Sequence, residues 1–163
     1  MHVHVDGSCN GLQHYSALGR DFKGGFEVNL INRDRPGDVY SKVLDFVLKK
    51  IENENDPNYV NYAAVLKSSN CVTRKTIKQT VMTSVYGVTL IGARDQIEKQ
   101  LKEMNLDIER EMVGRVSMYL AKITIESIGD LFKEANLIKS WLTKCALIVS
   151  HSGNTVKWIT PLG

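Results

Sequence analysis

Arg74 and Lys78, two cations four residues apart, precede the ring of Tyr86 in the stretch T-R-K-T-I-K-Q-T-V-M-T-S-V-Y-G, Thr73 to Gly87. The stretch predicts one helix of about four turns, with Thr73 able to cap its start and Gly87 just past its end. At 100° per residue, Arg74, Lys78, Val81, Met82 and Val85 share one side, and Tyr86 lies at its edge. Cations on one face, followed a turn or two later by apolar and aromatic groups, suit a nucleotide: the cations meet phosphates and the ring meets sugar or base. The same spacing also describes a solvated basic face on an ordinary helix. Composition bears on the choice. From Pro57 to Arg94 there is no Asp or Glu in 38 residues, where about four would be expected from 18 acids in 163. The same window holds Lys67, Arg74, Lys75, Lys78 and Arg94. A surface cleared of carboxylates is what a polyanion needs, because each acid would repel phosphate.

A second candidate is the carboxylate of Asp6. His2 to Val5 alternates polar and apolar as a short strand, and Asp6-Gly7-Ser8 ends it. Asp-Gly is also a hairpin signal, but no second strand follows. Asn10 to Arg20 reads as a helix instead, with Leu12, Tyr15 and Leu18 or Gly19 inward. A carboxylate at a strand tip just before a helix is held rigidly and can face a cleft, which suits a metal-binding or catalytic group. His14 reads as structural, and His2 with His4 are two ligands too few for a metal site.

The elements that must position these groups are mostly helical. Asp21 to Pro36 reads as a loop with a short extended piece at Phe26 to Leu30, and Pro36 can open the next helix. Val39, Val43, Phe46, Val47 and Ile51 mark that helix, with Tyr40 off the apolar stripe. Tyr59 to Lys67 is a short helix, and Ser68-Ser69-Asn70 a loop into the central one. Beyond Gly87 the chain bends through Gly92 into a helix over Ala93 to Asn105, with Glu98 and Lys102 paired outward. Ile108 to Glu134 is a long amphipathic helix, Leu137 to Val149 another, and Thr155 to Ile159 alternates as a closing strand. The fold class expected is α+β, predominantly helical, with short strands at both ends.

The chain has 163 residues, one domain's worth, with 43% hydrophobic residues and a net charge of +3 that alone says little about nucleic acid. Cys9, Cys71 and Cys145 are far apart and odd in number, reading as free thiols in a reducing compartment. There is no run of 18 apolar residues, so no membrane partner is expected. The start, M-H-V-H-V-D, reads as neither signal nor transit peptide.

Two stretches together resemble one family. D-G-S-C-N-G-L-Q-H-Y, Asp6 to Tyr15, resembles motif A of the single-subunit, phage and mitochondrial-type DNA-directed RNA polymerases. R-K-T-I-K-Q-T-V-M-T-S-V-Y-G, Arg74 to Gly87, resembles their motif B, the nucleotide-binding helix of the fingers. Smaller echoes are R-D-x-x-G-G at Arg20 to Gly25, V-N-L at Val28 to Leu30, D-V-Y at Asp38 to Tyr40 and W-x-T-P-x-G at Trp158 to Gly163, so the resemblance spans the chain. C-N-G-L-Q-H-Y and V-M-T-x-V-Y-G-V-T look more mitochondrial than phage.

The resemblance implies a fragment of a right-hand polymerase, with residues 1–22 from the palm and 23–163 from the fingers. Asp6 would be one of two aspartates holding two magnesium ions, with the Gly7 carbonyl a further metal ligand. Arg74 and Lys78 would grip the triphosphate, and Lys78 would act catalytically by stabilising the leaving pyrophosphate. Met82 and Tyr86 would face the nucleotide, Tyr86 would monitor the sugar and the insertion position, and Tyr40 would lie near the pocket. The chemistry implied is in-line attack of the RNA 3′-hydroxyl on the α-phosphate. Related DNA polymerases have a motif A like D-Y-S-Q-I-E; aligning on Asp6 and Ser8 sets Gly11 where they carry the glutamate that excludes a 2′-hydroxyl. Glycine has nothing to clash there, so ribonucleotides fit. The partners implied are DNA template, nascent RNA, ribonucleoside triphosphates and mitochondrial transcription factors, and the place of action is the mitochondrion. The family's second catalytic aspartate, in an H-D-S-type motif, does not occur in this sequence, so the 163 residues alone are expected to be inactive. The alternative is a non-catalytic nucleic-acid or nucleotide-binding module reusing the fold; a third reading is a helical domain that docks an acidic protein.

Overall fold

The computed structural model describes residues 9–106 and 108–159. Among these there are eight helices and no strand. They are α1 (Asn10–Leu18), α2 (Phe22–Glu27), α3 (Val39–Glu52), α4 (Val60–Ser69), α5 (Arg74–Ser84), α6 (Leu90–Glu103), α7 (Arg110–Leu131) and α8 (Lys133–His151). Helix α7 is the hub, packing against α3, α4, α5, α6 and α8. It buries Val113, Val116, Leu120, Ile123 and Ile128 at helical spacing. Thr124 and Ser127 are buried too, and their hydroxyls donate back to the Leu120 and Ile123 carbonyls at 2.6 and 2.7 Å.

Four of the five residues of the α3 stripe, Val39, Val43, Val47 and Ile51, are buried, while Phe46 at its edge is half-buried; this face packs on α5 and α7. The helix begins at Val39 rather than at Pro36, because Asp38 is the cap and accepts from the Tyr40 and Ser41 amides. Helix α5 turns Thr76, Ile77, Thr80 and Val81 inward and leaves Arg74, Lys78 and Met82 outward. Thr73 caps it as expected, in a reciprocal box with Thr76. Gln96 of α6 lies against the hydroxyls of Thr80 and Thr83, at 3.2 and 3.3 Å, and ties α5 to α6.

Several expectations are corrected. No strand forms over Thr155–Ile159: the whole segment is exposed, with no neighbouring strand among the described residues to complete a ladder, and alternation without a partner makes no sheet. The strand read at His2–Val5 lies outside the described residues. Phe26–Leu30 is not extended, because α2 runs through Gly24 and Gly25 from a cap at Asp21, whose side chain accepts from the Gly24 amide at 2.8 Å. Helix α6 starts at Leu90, because the Thr89 hydroxyl caps the Gly92 amide and draws that glycine into the first turn. Helix α5 is shorter than expected, so Tyr86 stands in the turn after it, where Gly87 adopts φ +84°. The long helix stops at Leu131, and Leu18 is exposed while Gly19 is half-buried.

Candidate nucleotide-binding cleft

The outward face of α5 carries Arg74, Lys78 and Met82 at successive i, i+4 steps. Tyr40, in the first turn of α3, lies beside that face: the Arg74 guanidinium is 4.8 Å and the Lys78 ammonium 5.8 Å from its ring centroid. Two like charges are thus gathered at one aromatic face. The Tyr40 hydroxyl oxygen accepts from the Cys9 thiol at 3.1 Å. Burial first, and then this hydrogen bond, push the phenol well above its ordinary pKa. Cys9 caps α1 in the left-handed region, at φ 59°, a conformation few side chains adopt without a local reason. All three cysteines are free thiols, as expected.

Between α1 and α5 lies a small cleft of about 130 Å³, lined among others by Cys9, Gly11, Tyr40, Met82, Val85 and Tyr86. Tyr86 is 75% exposed, so its ring is free to meet a ligand. The structure therefore brings Arg74, Lys78, Met82, Tyr86, Tyr40 and Gly11 to one place. Asp6 and Gly7 lie outside the described residues. A larger cleft, about 520 Å³, is lined by Tyr59, Tyr62, Tyr119, Arg94, Arg115 and Lys122, none of them a candidate from the sequence. Its cations are already engaged: Arg94 pairs with Asp95, Arg115 with Glu111, and Lys122 stands over the Tyr59 ring.

Gly11 has a packing role that its sequence position did not reveal. A Cβ there would stand 2.7 Å from Cγ2 of Val85. Val85 is β-branched and stiff at χ1, so α1 must move away from the end of α5. Gly11→Ala is therefore expected to destabilise the fold by about 1–3 kcal/mol through overpacking, read as a lowered urea midpoint; an unchanged midpoint means the two elements separate freely. Lys139 of α8 fixes the same end of α5. Its ammonium donates to the Ser84 carbonyl at 2.6 Å, a favourable place for a cation at a helix C-terminus, and burial lowers its pKa.

The carboxylate-free window is corrected in space. Asp38, far outside it in sequence, accepts from Arg74 Nε at 2.6 Å and from Nη2 at 3.3 Å. Partial burial works to raise the Asp38 pKa, but hydrogen bonds from Arg74 and Ser41 outweigh it and hold the carboxyl below its usual range. Lys75 and Lys78 have no carboxylate within 4.0 Å among the described residues. Nothing in D-V-Y at Asp38 to Tyr40 assigns Asp38 to the site, but an Asp just before an apolar-periodic run is a cap signal that fixes its position.

A family profile described as DNA-dependent RNA polymerase matches residues 1–163. The chain is 48% identical over 169 residues to "DNA-directed RNA polymerase 1B, mitochondrial" of Nicotiana tabacum, covering 100% of this chain and 17% of that protein. It is 48% identical over 164 residues to "DNA-directed RNA polymerase 1, mitochondrial" of Arabidopsis thaliana, covering 99% and 17%. It is 47% identical over 161 residues to "DNA-directed RNA polymerase, mitochondrial" of Homo sapiens, covering 99% and 13%. The chain thus spans a minor part of the length of the curated relatives it matches.

Proposed function

The chain belongs to the DNA-dependent RNA polymerase family, and from that membership we propose that it supplies the nucleotide-binding part of a template-directed ribonucleotidyl transferase. Residues 1–22 are read as palm and 23–163 as fingers. Substrates and partners follow the same reading: ribonucleoside triphosphates, a DNA template and nascent RNA, in the mitochondrion as the relatives' names suggest, with mitochondrial transcription factors engaged through the full-length protein. Among the described residues no helix is long and apolar enough to cross a membrane.

The observation that carries the reading is that Tyr40, which lines the cleft between α1 and α5, also holds Arg74 and Lys78 at its ring, so that the cations stand beside the cleft bordered by the chain that follows Asp6. Asp6 is three residues upstream of Cys9, a tether of at most roughly 11 Å. Arg74 and Lys78 bind the triphosphate and offset the charge that develops on the departing pyrophosphate. Lys78 carries protons on Nζ for hydrogen bonds to that leaving group. The ring of Tyr86 meets the sugar, and Met82, Tyr40 and Gly11 border the pocket, the space beside the Gly11 Cα being taken by Val85.

A carboxylate and a backbone carbonyl, Asp6 and Gly7, are the oxygen donors that hard divalent cations take. Among the described residues no group of three or more His, Cys, Asp and Glu side chains is placed to hold a metal ion. Magnesium, when bound, would activate the attacking hydroxyl and stabilise the leaving oxygens.

Competitive acetylation tests the reading. A ribonucleoside triphosphate with magnesium, added to the full-length protein, is expected to slow acetylation of Lys78 while leaving Lys99 of α6 and Lys144 of α8 unprotected. Equal rates at Lys78 with and without nucleotide would overturn the assignment.

A further inference from the structure

We propose that Asp38 is the positioning residue for Arg74, holding its guanidinium so that one edge stays free for the triphosphate. The inference rests on the reading of the cleft given above.

The geometry makes Asp38 a fixed anchor. Its carboxylate accepts from the Tyr40 amide at 3.0 Å, the Ser41 amide at 3.4 Å and the Ser41 hydroxyl at 2.8 Å, all within the first turn of α3. The residue before it is clamped from both directions by Asn29. The Asn29 side chain donates to the Gly37 carbonyl at 3.0 Å and accepts from the Gly37 amide at 2.6 Å. Arg33, from the same loop, donates to the Phe26 carbonyl at 2.9 Å and covers the Phe26 ring at 4.1 Å. The loop between α2 and α3 is thus tied down on the side that presents Asp38.

Arg74 is held on two sides. Asp38 takes Nε and one hydrogen of Nη2, and the plane of the guanidinium lies over Tyr40. A guanidinium offers five donors in a rigid fork, so the outer edge, with three hydrogens, remains for phosphate oxygens. Asp38 also reduces the repulsion between Arg74 and Lys78 before any phosphate arrives. A free arginine would have to lose its rotamer freedom on binding; the pairing with Asp38 meets part of that cost beforehand. Lys78 has no such partner among the described residues, so the two cations are prepared differently: one is paired with a carboxylate and the other is not.

The opposite role is physically distinct. If Asp38 were a stand-in for phosphate, it would compete with the nucleotide, and removing its charge would tighten binding. Steady-state kinetics of the full-length protein separate the two. Asp38→Asn and Asp38→Ser both keep a good helix cap and lose the carboxylate. Each is expected to raise the KM for ribonucleoside triphosphates about tenfold, the loss of one hydrogen bond to a charged group, with an unchanged thermal midpoint. In an Arg74→Ala background the same substitutions should change KM by less than about twofold, since Asp38 acts through Arg74. A lowered KM overturns the inference in favour of competition. So does an unchanged KM in Asp38→Asn when Arg74→Ala raises it, or an Asp38→Asn effect that persists without Arg74. An Arg74→Ala enzyme with wild-type KM overturns the reading of the cleft itself, and the role of Asp38 with it.

Discussion

Lys78→Ala in the full-length protein is expected to lower kcat/KM for ribonucleoside triphosphates by about 10²–10³-fold, the scale of losing one preorganised charge at a developing anion. The Lys78 side chain is exposed, its ammonium lies 5.8 Å from the Tyr40 ring centroid, and no carboxylate among the described residues neutralises it. Its charge is therefore available to a ligand in full, unlike that of Arg74. For the same reason its removal should leave the fold alone: an exposed substitution of this kind costs within about 0.5 kcal/mol, so the thermal midpoint should move by no more than about 2 °C. The split between constants identifies the step. If Lys78 binds the triphosphate equally in ground and transition states, KM rises and kcat holds; if it acts on the departing pyrophosphate, kcat falls with kcat/KM. The second pattern is expected. Lys78→Arg, which keeps a charge at nearly the same reach, should recover part of the loss. Wild-type kcat/KM in Lys78→Ala would remove the α5 face from the site, and a loss of rate accompanied by unfolding would make its role structural.

Much of this arrangement was legible in the sequence, because a helix writes its faces at a fixed period. Val43, Val47 and Ile51 announced the buried side of α3 and Arg74, Lys78 and Met82 the outer side of α5, but Val81, placed by the same period on that outer side, turns into the core. Glycines misled the reading. Gly24, Gly25 and Gly92 look like breaks in one dimension, but Asp21 and Thr89 cap directly onto the Gly24 and Gly92 amides and carry the helix through them. The closing strand failed because alternation records which faces a strand would have, not whether a partner exists to pair with it. Asp38 was missed for a related reason. A window count of acids runs along the chain, whereas the carboxylate that meets Arg74 comes from 36 residues upstream. Gly11 was read for the space it leaves a ligand, and the structure adds the close approach of Val85, which no spacing rule reports.

Phe132→Ala should give the largest loss of local stability. Phe132 separates α7 from α8, at φ −114° and ψ 54°, yet its backbone serves both: its amide donates to the Ile128 carbonyl at 2.9 Å and its carbonyl accepts from the Asn136 amide at 3.0 Å. Its side chain is 1% exposed, among the largest fully buried in the chain. Helix α8 also packs along α1. It buries only Ala135 and leaves Leu137, Trp141 and Ile148 outward, and Lys139 reaches the Ser84 carbonyl. Deleting a buried phenyl ring costs about 3–5 kcal/mol. Since Ala135 is the one buried side chain of α8 itself, that cost should fall on the docking of α8 and of α1, which packs along it. Amide exchange along α8 in the full-length protein is then expected to quicken by roughly 10²–10⁴-fold, at 1.4 kcal/mol per decade, while the amides of α3 and α7 keep their protection. The effect should pass to the cleft, because an undocked α8 withdraws Lys139 from the end of α5, where Tyr86 is presented, and the KM for nucleotide should rise with the exchange rate. If α8 exchanges at the wild-type rate, Phe132 is not what holds it; if α3 and α7 open with it, the ring belongs to the common core and the turn bearing Tyr86 is not held through α8.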